Sequence, residues 1–254
     1  MISGHQKHSE KILVGVTTYA GDLEQQLILR KTLRHLRYKN GDRVFILVVS
    51  DGYVKDAAVH DWADCVLERP GPSGLQQGEL DSILQIIKFA RSHHFASLIK
   101  TAGDVLMSQN GWARCVMDHF LAKNKQILST HWFYDESWVV GTKFFVAHVD
   151  FLETTIPLEI KTEFLEDQFS QNISKHFDIK EVASLINSAT SERDEVSNEL
   201  ALWGWEHAHE LWKFFAIDEG LPAAQLWASK NLLYPLLRLR RNIKRMYRKA
   251  HPMP

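Results

Sequence analysis

Two runs of aliphatic residues, Lys11-Ile-Leu-Val-Gly-Val-Thr17 and Val44-Phe-Ile-Leu-Val-Val-Ser50, are apolar without alternation and are bounded by turn residues. That pattern marks strands buried on both faces. Between them Leu29, Leu33 and Leu36 recur at helical spacing, Leu23 and Leu27 support the turn before, and Asn40-Gly41-Asp42 ends the segment. The unit reads strand, helix, strand, which implies a parallel pair joined by a right-handed crossover. Pro70-Gly71-Pro72-Ser73-Gly74 excludes helix and central strand and reads as an ordered loop or lid. A second helix follows with Leu80, Ile83, Leu84, Ile87 and Ala90 as its apolar stripe, then a strand over Ser97 to Lys100 whose run stops at Asp104. Gly111 to Asn124 predicts a helix with Trp112, Cys115, Val116 and Phe120 inward, and Gln126 to Thr130 a further strand. Three rounds of this alternation give an α/β domain with a mostly parallel central sheet and flanking helices.

After His131 the character changes. An aromatic, charged segment runs to Trp138, a strand is expected over Lys143 to His148, and helical patterns then dominate. Phe164, Leu165, Gln168, Phe169 and Asn172 share one helix face, and Asn198 to Phe215 gives a helix with Trp203, His207, Glu210 and Phe214 on one side. Ala189 to Ser197 is a polar break. The division expected is a catalytic, ligand-binding region over 11–180, a helical completion over 181–229 and a tail over 230–254.

A 45% hydrophobic fraction in 254 residues supports a sizeable core. The first eleven residues lack an apolar signal region, and no run approaches a membrane span, so a cytoplasmic protein is expected. Cys65 and Cys115 lie in apolar patterns and read as buried thiols, with neither a disulfide framework nor a zinc site. The near-neutral charge conceals an asymmetry: eight of the 30 basic residues and none of the 31 acidic ones fall after Ser229. An acidic body carries a basic tail, which argues against nucleic acid as partner. The chain has no G-x-G-x-x-G loop and no phosphate-binding P-loop.

Ligands of open α/β sheets sit at the carboxyl ends of the strands. There the first strand carries Thr17, Thr18 and Tyr19, hydroxyls and a ring suited to a nucleobase. The second ends in Ser50-Asp51-Gly52, where the carboxylate can accept from a base or ribose, although Asp before Gly is also a turn signal. The third ends in Thr101-Ala102-Gly103-Asp104. Lys100 beside it could neutralise diphosphate charge, or be an ordinary solvated strand-end lysine.

These stretches resemble the GT-A nucleotide-sugar glycosyltransferases, in particular the large inverting group similar to glycosyltransferase family 2, over residues 11 to 170. Val16-Thr17-Thr18-Tyr19 and Val49-Ser50-Asp51-Gly52 match the ends of the first two strands, which by resemblance assigns base and ribose to Thr17, Tyr19 and Asp51. The family's Asp-x-Asp falls on Ala102 and Asp104, so the Mn²⁺ or Mg²⁺ that the resemblance implies would have Asp104 alone from this motif. An acidic pair with the second member as general base corresponds to Glu166 and Asp167, and points to Asp167. Adjacent helical positions differ by about 100°, so the two cannot face the cleft equally. The same acids would also suit a helix's first turn.

Some members of the fold complete the metal shell with a late histidine, a role open to His207. In a helix His207 and His209 point apart, whereas in an extended segment they share a face; the alternative is that Trp203, His207 and Phe214 pack on the sheet. Trp132, Phe133, Tyr134 and Trp138 could stack an acceptor sugar or fill a core. The tail, Leu232 to Leu237 followed by Arg238, Arg240, Arg241, Lys244, Arg245, Arg248 and Lys249, reads as a basic amphipathic helix for an anionic membrane surface. The expectation is a peripheral, inner-face transferase moving sugar from a nucleotide diphosphate donor to a glycan or lipid-linked acceptor. The alternatives are a binding protein of the same fold without catalysis, or another doubly wound nucleotide-dependent transferase.

Overall fold

The aliphatic runs become neighbours in one sheet. The computed structural model describes residues 11–19, 23–69, 71, 73–107, 109–134, 137–162, 164–187 and 205–207, and the structural statements below concern these. All lie in the first of the chain's two units, Met1–Ala208. In order, the elements are β1 (Ile12–Thr18), α1 (Leu23–Asn40), β2 (Val44–Asp51), β3 (Cys65–Arg69), α2 (Leu75–Ser92), β4 (Ser97–Ala102) and β5 (Val105–Met107). They continue with α3 (Trp112–Lys123), β6 (Ile127–Tyr134), β7 (Ser137–His148), α4 (Val149–Thr155), α5 (Leu165–His176), α6 (Ile179–Val182), β8 (Ala183–Asn187) and β9 (Trp205–His207).

The main sheet has the order β3-β2-β1-β4-β7-β6-β8. Pairs β3–β2, β2–β1, β1–β4 and β6–β8 are parallel, and β7 runs antiparallel to both β4 and β6. The mostly parallel α/β expectation holds, with one reversed strand produced by the β6–β7 hairpin. That hairpin is where the aromatic segment lies, with Phe133 opposite Trp138 in backbone register.

Each sheet face is sealed by its own helices. Leu29, Leu33 and Leu36 of α1 and Trp112, Val116 and Phe120 of α3 cover Val14, Val16, Ile46, Val48, Ile99 and Phe144. On the other face Leu80, Ile83, Ile86, Ile87 and Ala90 of α2, with α4 and α5, cover Leu13, Leu47, Val49, Leu98 and Phe145. Each such fully buried aliphatic side chain stabilises the fold by about 1.5–3 kcal/mol relative to exposure. The approach of α2 depends on two glycines. A Cβ on Gly15 would stand 2.6 Å from Ile86 Cγ2, and one on Gly78 would overlap Oδ2 of Asp51.

Helix ends follow capping chemistry. Asn40 Nδ2 donates to Leu36 O at 2.9 Å, and Gly41 takes a φ of +60° just after α1, where glycine costs least. Asn40 Oδ1 also accepts from Ala113 N at 3.0 Å, joining the end of α1 to the start of α3.

Several expectations are corrected. Cys115 is exposed and Cys65 half-buried, both free, because the inward stripe of α3 is Trp112, Ala113, Val116, Met117 and Phe120. Phe164 is 47% exposed and precedes α5, whose buried face instead includes Glu166, Ser170 and Ile173. The helical completion after residue 180 contains strands: Ala183–Asn187 adds to the sheet edge, and Trp205–His207 pairs with β5. Those short segments are extended because each finds a partner strand, which local periodicity does not encode. The polar break, the remainder of the 198–215 helix and the basic tail lie outside the described residues. Among the described residues no helix is long and apolar enough to cross a membrane.

Candidate active site at the carboxyl edge

Parallel register sets the three strand ends side by side. Thr17 of β1 lies between Val49 of β2 and Ala102 of β4, so Thr17 to Tyr19, Asp51 and Asp104 lie along one edge of the sheet. Gly103 N donates to Thr17 O at 2.8 Å, which carries the β4 turn across β1. A Cβ on Gly103 would come within 3.1 Å of Thr18 Cβ, so a side chain here would press on Thr18. Thr17 is buried, whereas Tyr19 is 44% exposed.

At one end of the edge Asp51 is buried and already oriented. Arg69 Nη1, from the end of β3, lies 3.4 Å from Oδ1, and the Ser73 backbone N donates to Oδ2 at 3.1 Å. Arg69 also reaches Asp81 of α2 at 2.5 Å and Ser73 Oγ at 3.0 Å. The loop after Arg69 is thus tied to the Asp51 carboxylate, as the Gly-Pro composition of 70–74 suggested for an ordered element.

Behind the sheet edge lies a buried polar chain. Lys100 is fully buried, and its Nζ donates to Glu79 Oε1 of α2 at 2.7 Å and to the carbonyl oxygen of Thr142 on β7. Thr142 Oγ1 donates to Glu166 Oε1 of α5 at 2.9 Å. Burial raises the cost of ionising Glu79, but the Lys100 charge and hydrogen bond, the Thr142 hydroxyl and the Lys143 charge outweigh it and hold the carboxyl below the ordinary range. Glu166 goes the other way. Burial, reinforced by the Glu79 charge, pushes it up against the opposing pull of its own backbone N–H, the Thr142 hydroxyl and Lys100. The N-terminus of α5 is fixed by Gln76 Oε1, which accepts from Leu165 N at 2.7 Å.

The sequence residues therefore separate. Lys100 and Glu166 meet through Glu79 and Thr142, and the reading of Lys100 as a cation open to a diphosphate is corrected, because its ammonium is enclosed by protein partners. Asp167, one helical position on, is less buried than Glu166. Asp104 is half-buried, and its Oδ2 is 3.7 Å from Lys143 Nζ, itself 46% exposed. Beyond it β5 is steadied by His35, whose Nε2 donates to Met107 O at 3.0 Å. Burial pushes the His35 imidazole down, and Lys39 adds to this against the Met107 carbonyl. Strand β9 sets the backbone of His207 opposite Val105, one residue from Asp104, and this is the extended arrangement rather than the helical one.

Of the motif's two positions only Asp104 supplies a donor for a divalent cation. Ala102 offers no oxygen, Asp104 already faces an ammonium, and among the described residues no three His, Cys, Asp or Glu are grouped to hold a metal ion.

Sequence reasoning missed Glu79, Thr142, Lys143 and Arg69. Glu79 carried a readable signal, since it shares a helical face with Ile83, Ile86 and Ala90 and is thus a carboxylate on an apolar stripe. Lys143 carried none, because its meaning depends on the reversed strand.

No protein-family model matches the chain, and no curated protein matches it. Among solved structures it is similar to a mannosyltransferase from Pyrobaculum calidifontis in complex with GDP-Man and Mn²⁺, at 14% identity and TM-score 0.49, over 72% of this chain and 58% of that one. It is also similar to mouse xyloside xylosyltransferase 1, at 12% identity and TM-score 0.47, over 69% of this chain and 84% of that one. A cytidylyltransferase from Leptospira borgpetersenii is similar at 12% identity and TM-score 0.45, over 72% and 77% of the two chains. At these values the likeness carries no statement of activity, and the α/β architecture rests on the strand order and the two helical layers described above.

Proposed function

We propose that this chain is a nucleotide-sugar-dependent glycosyltransferase that moves a sugar from a nucleotide diphosphate donor to a hydroxyl of a glycan or lipid-linked acceptor, with inversion. The observation that carries the reading is the alignment of Thr17 to Tyr19, Asp51 and Asp104 along one carboxyl edge, with the acidic start of α5 connected through Thr142 to β7, the strand beside β4. Tyr19 takes the base, Thr17 lines that end, Asp51, buried beneath Arg69 and the Ser73 N–H, supports the ribose end of the edge, and Asp104 marks the diphosphate end.

Asp167 removes the proton of the acceptor hydroxyl as its oxygen forms a bond to the anomeric carbon. The bond from that carbon to the donor phosphate breaks, and the nucleoside diphosphate leaves with the electron pair. Attack opposite the leaving group inverts the centre. Glu166 holds the helix start against Thr142 and so positions its neighbour; it is not the base. The basic stretch after Ser229 supports a lipid-linked acceptor on an anionic surface.

The test is a thermal-shift panel of UDP-, GDP-, CDP- and dTDP-sugars on the full chain, with and without Mn²⁺. One donor at about 100 times its dissociation constant raises stability by about 2.7 kcal/mol, or roughly 5–10 °C at this size. Asp167→Asn then abolishes transfer while leaving that shift intact. A shift without turnover in the wild type identifies a binding protein of this fold, a response only to nucleoside triphosphates identifies a nucleotidyltransferase, and no shift with any donor overturns the proposal.

A further inference from the structure

We propose that Lys143 takes the place of a divalent cation at this edge and binds the donor diphosphate directly, with Asp104 acting as the positioning residue that holds its ammonium. The inference rests on the glycosyltransferase reading and deepens it by assigning how the diphosphate is met.

Four observations converge. Strands β4 and β7 run antiparallel with Thr101 opposite Phe144 as the last pair, and Ala102 and Lys143 are the residues that adjoin it on the two strands. Lys143 thus adjoins the same end of the β4–β7 ladder as the position where the family pattern would have its first acid. Second, Lys143 Nζ is 3.7 Å from Asp104 Oδ2, which places positive charge beside the remaining carboxylate of that motif. Third, Lys143 is 46% exposed, in contrast to the enclosed Lys100 deeper in the same site. Fourth, Lys143 also lowers the ionisation range of Glu79, so its field extends over the buried polar chain as well as over the edge.

The chemistry is consistent. A carboxylate and an ammonium 3.7 Å apart attract one another, and a divalent ion bound to Asp104 would be repelled by that same ammonium. A diphosphate arriving at the edge meets a cation already aimed by Asp104. An acid at position 102 would compete with the phosphates for Lys143, and alanine does not. When the sugar bond to phosphate breaks, the charge that develops on the leaving oxygen faces Lys143.

The test measures binding of UDP, GDP and CDP, their monophosphates, and inorganic pyrophosphate to the full chain in EDTA and again in Mn²⁺. With chelator present, wild type should bind its nucleoside diphosphate more tightly than the matching monophosphate. Lys143→Gln should weaken the diphosphate by roughly 10- to 100-fold, the range of a lost charge-assisted hydrogen bond, and leave the monophosphate unchanged. Lys143→Arg should retain most of the preference, and Lys161→Gln, on an exposed lysine elsewhere, should change nothing.

Asp104→Asn separates the two readings. With Lys143 as the binding cation held by Asp104, removing the carboxylate weakens metal-free diphosphate binding by a few-fold and less than Lys143→Gln does; with a metal at Asp104, it abolishes a Mn²⁺-dependent affinity. Diphosphate binding that appears only in Mn²⁺, is lost in Asp104→Asn and is unchanged in Lys143→Gln overturns the inference and leaves the transferase reading standing. Absence of binding by any nucleotide overturns both.

Discussion

Lys100 on β4 and Lys143 on β7 belong to paired strands and lie near the same carboxylate, Glu79, yet the fold treats them oppositely. Lys100 is enclosed, with a carboxylate at 2.7 Å and a main-chain oxygen as partners. Lys143 is half-exposed and loosely paired with Asp104 at 3.7 Å. A buried ammonium must have partners or lose its charge, because its desolvation is not otherwise offset. A half-exposed one keeps its water and can exchange it for a ligand. One lysine thus ties helix α2 to the sheet, and the other is available to an anion.

The largest break in this comparison comes from removing the partner of the enclosed cation. Glu79→Gln strands the Lys100 charge inside the protein and should cost about 3–5 kcal/mol in chemical denaturation at neutral pH. Lys100→Met should cost less, since Glu79 retains 24% of its side-chain exposure and can rehydrate. Equal losses below about 1 kcal/mol in both would show that the pair does not hold α2 in place.

The Asp51 corner extends the comparison to a carboxylate enclosed by packing. Gly78→Ala sets a methyl group against Asp51 Oδ2 and should cost about 1–3 kcal/mol, as overpacking does. In an Asp51→Ala background the methyl group has space, so the same change should cost much less. Additive losses in that double-mutant cycle would mean that the strain falls elsewhere.

A smaller effect separates the two acids that share Thr142. Glu79 has its carboxyl held low, so its contribution is present above the ordinary carboxylate range and is lost as pH falls through the lowered value. Glu166 is pushed up. The folded state then keeps a proton that the unfolded chain has released, and stability declines as pH rises from the ordinary carboxylate range through the raised value. Glu166→Gln should remove that decline, giving a flatter stability profile between the ordinary carboxylate range and the raised value. An unchanged slope would assign the decline to another group.

What the sequence disclosed about these regions follows from which forces are local. The runs over 11–17 and 44–50 and the stripe Leu80-Ile83-Ile87 are legible because burial on a sheet or helix face imposes a period on the chain itself. The alignment of Thr17, Asp51 and Asp104 followed from strand ends in an α/β order. The fate of Lys100 was not legible, since it depends on Glu79, 21 positions away, and on a main-chain oxygen 42 positions away. Strand β3 is short and only partly buried, and β8 is short, so neither shows a strong period. Cys115 looked buried because it is apolar, but it lies off the stripe of its helix.

The smallest expected effect on stability is at the residue proposed to matter most for binding. Lys143→Ala removes a half-exposed ion pair at 3.7 Å, and such pairs contribute about 0–1 kcal/mol. Denaturation of this variant should therefore be nearly indistinguishable from wild type, and raising the salt concentration should narrow even that difference through screening. The contrast with Glu79→Gln is the point of the measurement. If Lys143→Ala were as destabilising as the loss of Glu79, the outer lysine would be a second structural tie. A protein that keeps its stability but loses its diphosphate preference assigns Lys143 to the ligand, because a group held for folding cannot be removed without a change in folding free energy.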